Sequence, residues 1–478
     1  MLGGIQFAGT DGQSRDAYNT DYSNVGPRFG FAYQIDPKTV IRGGYGIMYS
    51  YGLEGGSSVG ETQSTSYTAS SDGGNTPTNN FNSGSPFASG LLAPTGNTLG
   101  LETDLGNGGV QVDFPGRRIP IEQIMSLGFQ RALSGSMVLD VRYAGNFTNR
   151  LRTFLWIDGT ATLAQEQKAI ANPAYFNQQV PNPYYGVANM SGPGQCGTGT
   201  TVAAVTLMEP LSQYCSPGGT GLVGQYNAPI GGNFYNGLEV KLDKHISGGA
   251  GRGLSFQLAY TYSKTMNEDG YRNGWPYQDP EQIHQLADND RTHILTVTPV
   301  YDLPFGKGRT FLPNAGGVVN SLLGNWTLSG ILSAESGTPV QLDTGWYYTC
   351  NHSYKPTGGS TLGHWFSTAS DPGACWTGLS PYELQPINST TAQVRNPTMP
   401  NLDLSLQKST AITSRLNFDL RLDAFNATNS VLFGGPDTNP GDGAASYNAS
   451  TGWHGFGTVG PQQRNFPRML QVSGKLSF

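Results

Sequence analysis

Residues 401–429 read NLDLSLQKSTAITSRLNFDLRLDAFNATN. In the first half Leu402, Leu404 and Leu406 alternate with Asp403, Ser405 and Gln407. In the second, Leu416, Phe418, Leu420 and Leu422 alternate with Asn417, Asp419, Arg421 and Asp423. Apolar residues at every second position give a strand one greasy face and one charged face. Two such runs separated only by a short Ala-Ile-Thr-Ser joint predict a β-hairpin. A dry sandwich core could not bury those full charges, whereas a solvated face or a wet lumen can.

The same alternation recurs outward from this hairpin. It appears in Met125, Leu127, Phe129; in Met137, Leu139, Val141, Tyr143; in Leu238, Val240, Leu242; and in Leu254, Phe256, Leu258, Tyr260, Tyr262. It closes the chain in Leu470, Val472, Gly474, Leu476, Phe478. Eleven strands are expected, over 25–35, 39–49, 121–133, 136–146, 233–246, 253–264, 291–303, 324–337, 399–411, 414–427 and 467–478. Their connections alternate in length. Tight turns are expected at 36–38, 134–135, 247–252 and 412–413, and a longer joint at 304–323 has room for a short helix at Gly317–Leu323. The other connections, 50–119, 147–232, 265–290, 338–398 and 428–466, are long and rich in Gly, Asn, Ser, Thr and Pro.

Composition narrows the class. Of 478 residues, 67 are Gly and 30 Pro, about a fifth of the chain, and only 13% are charged. Aromatics reach 11%, which argues against simple disorder. The net charge of −6 and the lack of any Lys/Arg-rich run argue against a nucleic-acid partner. No window approaches the 18 apolar residues of a membrane helix, but a barrel strand needs only about 9–11 alternating ones.

Short turns at one end and long loops at the other describe an outer-membrane barrel with periplasmic turns and extracellular loops. In hydrocarbon every backbone N–H and C=O needs a partner, so strands must pair into a closed wall. The apolar face then meets lipid, and the polar face, with Glu239, Lys241, Asp419, Arg421 and Asp423, lines the lumen. Tyr49, Tyr143, Tyr262, Tyr301, Trp326 and Phe433 are expected in the interfacial girdles. The fold class expected is therefore all-β, an antiparallel transmembrane β-barrel portion. The first and last of eleven strands run the same way and cannot close an antiparallel wall; eleven is half of twenty-two, the size of the plugged transporters.

Four stretches resemble TonB-dependent outer-membrane receptors of the Oar-like type. They are NVGPRFGFAYQIDPKTVIRGGYGIMY (24–49), FYNGLEVKLDKHISGG with LSFQLAYTYSKTMNE (234–268), DRTHILTVTPVYDLPFGKGRTF with GNWTLSGILSAESGTPV (290–340), and the 401–429 hairpin. The ending RNFPRMLQVSGKLSF (464–478) is similar to their closing strand. There Phe478, with Leu476, Val472 and Leu470 before it, resembles the signal read by the outer-membrane assembly machinery. The resemblance covers roughly half the chain. It implies a Gram-negative outer-membrane location, a TonB energising complex as partner and an extracellular ligand, here unidentified. Such receptors carry a signal peptide, often a small β-sandwich, and a plug with a TonB-contacting segment before a 22-stranded barrel. None of these first parts is expected within residues 1–478, which match the C-terminal half of the barrel.

The residues that carry chemistry elsewhere find bland readings here. Cys196, Cys215, Cys350 and Cys375 fall in polar loop sequence without zinc-ligand spacing, so disulfides are expected. Four cysteines permit three connectivities; the local one, 196–215 and 350–375, is the choice made here. GFGTVG at 455–460 spells a GxGxxG pattern but lacks the strand before and helix after that a dinucleotide site needs. Asp288, Asp290, Arg291 and His293 read as a charged rim or loop salt bridge. Asn267-Glu268-Asp269-Gly270 and Asp437–Asp442 read as solvated turns, since neither follows a twelve-residue calcium loop. The six His have no zincin spacing and no GxSxG elbow occurs. No cofactor, metal or catalytic set is expected. The rival reading is a secreted, soluble β-rich binding module using loop aromatics Trp346, Tyr347, Tyr348 and Trp365 on a glycan.

Overall fold

Hairpin turns set the frame. At the first, the Lys38 N–H is held by the Asp36 carboxylate at 2.7 Å, and Lys38 returns its carbonyl to the N–H of Ala132. At the last, Ile412 donates to Leu416 and the Thr413 hydroxyl accepts from Arg415 and Leu416. The computed structural model describes residues 4–478 apart from 17–18, 51–58, 64, 66, 68, 71, 77–86, 88–89, 107–109, 135, 159–162, 192–194, 216–222, 246–252, 272–281, 343–345, 349–352, 357, 370, 372–375 and 380–388.

Eleven strands pair in sequence order: β1 (Arg28–Asp36), β2 (Thr39–Tyr49), β3 (Ile121–Ala132), β4 (Met137–Asp158), β5 (Val223–Lys244), β6 (Gly253–Tyr271), β7 (His293–Asp302), β8 (Trp326–Glu335), β9 (Asn401–Ala411), β10 (Asn417–Phe425) and β11 (Met469–Ser477). Every step along this path is antiparallel. Two short strands join the sheet from the side: Gln282–Leu286 on β6, and Gln111–Asp113, which pairs with β5 in parallel. Among the described residues β1 and β11 share no ladder, and nearly every residue of both is exposed. The joint between β7 and β8 carries the expected helix, Gly317–Leu323.

Register locks side chains into rows, because partners across a ladder share a face. One row runs Leu139, Leu242, Leu258, Val297, Leu332, Leu402 across six strands. A second, on the same face, runs Leu254, Tyr301, Leu328, Leu406, Leu422, Val472. These apolar side chains do not form a buried core: Val472 is 69% exposed and Leu328 38%. The buried apolar residues lie instead in the loops and in the far end of β5, in clusters around Leu105 and Met190, around Phe366 and Phe456, and around Phe176. A soluble module would invert that arrangement, with its sheet face dry and its loops wet.

The long connections differ from expectation in two places. The stretch 147–232 was expected as one loop, and 265–290 as another. In fact β4 continues to Asp158, β5 begins at Val223 and β6 runs to Tyr271, so these three strands rise well past their neighbours. Asn267 and Glu268, expected in a turn, sit in the β6 ladder opposite Gln285 and His284. Above the bilayer no face meets lipid, so alternation no longer marks a strand. Phe433 is also misplaced: it bridges Gln463 within the last loop, past the end of β10.

Candidate functional site: the polar face and its loop cap

The face opposite the leucine rows is mostly polar. One row runs Arg42, Gly128, Arg142, Glu239, Thr261, and the next runs Gln130, Asp140, Lys241, Ala259, Thr296, Ser333, Asn401. Further along the same face Ser405 opposes Asp423, Gln407 opposes Arg421, and Ser409 opposes Asp419. All five residues expected to line the lumen, Glu239, Lys241, Asp419, Arg421 and Asp423, therefore share one side of the sheet.

Several charges on this face pair with the opposite sign. Arg42 reaches Asp140 at 3.1 Å and also bonds Gln130. Arg142 Nε donates to Glu239 at 2.6 Å. Lys241 meets Asp243 at 3.1 Å, and Gln257 donates to the other oxygen of that carboxylate at 2.9 Å. Arg421 bridges Asp423 at 2.8 Å and the Ser405 hydroxyl at 3.0 Å. A cleft of about 390 Å³ opens between Asp140, Arg142, Glu239 and Lys241. Gly128 keeps the row level: a Cβ there would stand 2.5 Å from that of Arg142. Half-exposed pairs of this kind contribute roughly 0–1 kcal/mol each, so the ladder serves to solvate the wall and hold side chains flat. Its mixed signs set up no single-sign field.

Above the strands the loops fold into a cap with its own cores. In one, Ile5, Leu105, Val110, Met190, Tyr214 and Val223 pack together beside the Cys196–Cys215 disulfide, whose Cα atoms are 6.0 Å apart. Cys350 and Cys375, the other expected pair, lie outside the described residues. In the second, Phe366, Trp376 and Phe456 meet edge to face or tilted at 5.0–6.1 Å, over Val340, Leu342 and Val394. Here the GxGxxG stretch finds its use. Phe456 fills the core, while Gly457, at φ +81°, sits where a Cβ would be 2.3 Å from Thr368. Trp365 is turned inward and donates to the Arg395 carbonyl at 2.7 Å. Of Trp346, Tyr347 and Tyr348 the backbone pairs with Trp376–Gly378.

The Asp288–His293 stretch divides four ways. Asp288 is exposed. Asp290 is buried and bound by Arg395 at 2.7 Å and by the Thr265 N–H at 2.7 Å. Arg291 pairs with Glu335 at 2.6 Å, and His293 turns to the apolar face, 2.8 Å from the Tyr260 hydroxyl. Arg395 was missed by sequence reasoning, since no local pattern marks a partner so far along the chain.

In the last loop a cavity of about 500 Å³ is lined by Asp437, Asp442, Trp453, His454 and Thr458. Burial pushes the Asp437 carboxyl above its usual value; the Asn439 N–H opposes this and nearby Asp442 adds to it. Among the described residues no three His, Cys, Asp or Glu side chains gather as a metal site.

A family model described as "Outer membrane beta barrel domain" matches residues 2–471. The chain belongs to that family. The location of this outer-membrane barrel domain is the outer membrane of a Gram-negative cell, where an exposed apolar face suits contact with acyl chains. Solved structures similar to it include the outer membrane transporter YddB from Escherichia coli, at 9% identity and a TM-score of 0.39, covering 95% of this chain and 40% of that one. The ferripyoverdine receptor of the Pseudomonas aeruginosa outer membrane matches at 10% identity and 0.35, over 95% and 32%. The FrpB iron transporter from Neisseria meningitidis matches at 10% and 0.35, over 95% and 39%. The barrel domain thus spans two fifths or less of these chains. No curated protein matches it.

Proposed function

We propose that this chain is the C-terminal barrel portion of a TonB-dependent receptor of the Oar-like type, which binds an extracellular ligand in its loop cap and imports it. One observation carries the reading most: the loops at the mouth are folded, with apolar cores and a disulfide of their own, while the wall beneath is a hydrated face of balanced charge. Loops that merely joined strands would need no cores. The reading assigns no catalytic role to any residue. It also accounts for the edges. Ten antiparallel steps leave β1 and β11 running the same way, so a closed wall needs an odd number of further strands. These, with a plug, are the partners proposed for this portion.

Formaldehyde crosslinking in intact cells tests energised import. An adduct containing both this chain and TonB is expected. Its absence, in cells where another TonB-dependent receptor yields one, would overturn the proposal.

A further inference from the structure

The joint at residues 303–325 is the longest of the connections at the periplasmic end. Its helix Gly317–Leu323 carries Val318, Val319, Leu322 and Leu323 on one side, and Val318 is 76% exposed and Leu322 65%. The other side is tied down: Asn320 Oδ1 accepts the Lys307 N–H at 2.7 Å. Phe305 and Phe311, both exposed, stack beside it with centroids 5.4 Å apart. So Asn320 is spent on the joint, and among the described residues the apolar side faces outward, largely exposed.

That side is continuous with the lipid-facing wall. Trp326, at the foot of β8, donates its indole N–H to the Leu322 carbonyl at 3.0 Å. Trp326 opposes Lys408, which opposes Leu420 on the apolar face. The Lys408 ammonium lies 5.3 Å over the Trp326 ring and donates to the Gly324 carbonyl at 2.6 Å, so a buried cation ties the end of the helix to the foot of the wall. Between residues 303 and 325 the only charges are Lys307 and Arg309, both positive. Arg309 Nη1 is shielded from water yet has no hydrogen-bond partner.

We propose that this joint is an interfacial anchor. The helix and the Phe305–Phe311 pair lie in the headgroup boundary of the periplasmic leaflet, and Lys307 and Arg309 hold phosphates of anionic phospholipids there. An amphipathic helix with a basic flank takes up this position. Seven residues would bind too weakly alone, but the barrel already holds them at the bilayer surface. The inference rests on the membrane-facing wall and is independent of ligand or TonB.

The test places p-benzoylphenylalanine at Val318, Leu322 or Ser321, which is exposed but off the apolar side, in the full chain within its own outer membrane, followed by irradiation and mass spectrometry. Phospholipid adducts are expected at 318 and 322, with several-fold less at 321. Replacing Lys307 and Arg309 by Gln should lower the ratio of phosphatidylglycerol to phosphatidylethanolamine adducts by about threefold or more. Adducts to polypeptide at 318 and 322, equal yields at all three sites, or an unchanged lipid ratio would each overturn the anchor as stated. Both apolar probe sites are exposed, so the probes leave the fold intact.

Discussion

Arg395 Nη2 meets Asp290 Oδ2 at 2.7 Å across 105 residues of sequence, at a point where the Asp290 side chain has no exposed surface. The same guanidinium donates to the carbonyls of Asp290 and Gly337 and to the Thr292 hydroxyl. One side chain thus ties the strand 390–395 of the loop cap to the mouth of β6, β7 and β8. Removing the cation leaves a buried carboxylate uncompensated, a loss of about 3–5 kcal/mol. Arg395→Met should open the 338–398 loop to protease while the barrel keeps its heat-modifiable migration. Unchanged digestion would refute this role.

The leucine rows make a prediction with an internal control. Leu258→Arg puts a charge against acyl chains and should lower unfolding stability in phospholipid vesicles by about 2–4 kcal/mol if the site lies near midplane. Gln257→Arg, one residue away on the hydrated face, should change it by less than about 1 kcal/mol. Equal losses at both positions would mean that the faces are assigned wrongly.

The Cys196–Cys215 bridge closes a separation of 19 residues. A loop of this size gains roughly 3 kcal/mol from the cross-link in the chain-entropy picture. Cys196→Ser with Cys215→Ser should therefore speed proteolysis around 190–215 and leave the 428–466 loop protected. Loss of protection in both loops would show that the two cores are one cooperative unit.

Asp437 supplies a pH dependence of defined sign. Its folded pKa is raised above the usual 3.8, chiefly by burial, so the folded loop holds the proton more tightly than the unfolded one. The ionised carboxylate therefore weakens the loop at pH above the raised value, and this weakening fades as pH falls towards 3.8. Asp437→Asn should slow hydrogen exchange at 452–460 at pH 7, with the gap to the unaltered chain closing near pH 4. A gap that widens on acidification would contradict the burial argument.

The spanning strands were legible because lipid on one side and water on the other force a two-residue period. The expected 39–49 and 399–411 lie within two residues of the strands observed, Thr39–Tyr49 and Asn401–Ala411. The upper parts of β4, β5 and β6 were not legible. There Asn233 bonds Asn267, and Asn227 bonds Asp113, so polar residues serve the sheet and its short partners without regular alternation. The charge ladder was half legible: Glu239, Lys241, Asp419, Arg421 and Asp423 showed their face, but their partners did not. Arg42 finds Asp140 only through the register of β2 and β4 on β3.

By itself, then, the sequence determined the eleven long strands of the wall, their two faces and the end of the barrel that carries long loops, but not the short strands that join them. Each follows from short-range rules, the pleat and the turn, applied against a solvent that changes from hydrocarbon to water. Tertiary structure alone decided what the loops become. Phe456 meets Phe366 and Trp376, and Arg395 meets Asp290, across many tens of residues, and no local period records such contacts. They form because the continuous backbone ladders of the wall bring the loop ends together, where burying a few aromatics and one ion pair suffices to order the cap.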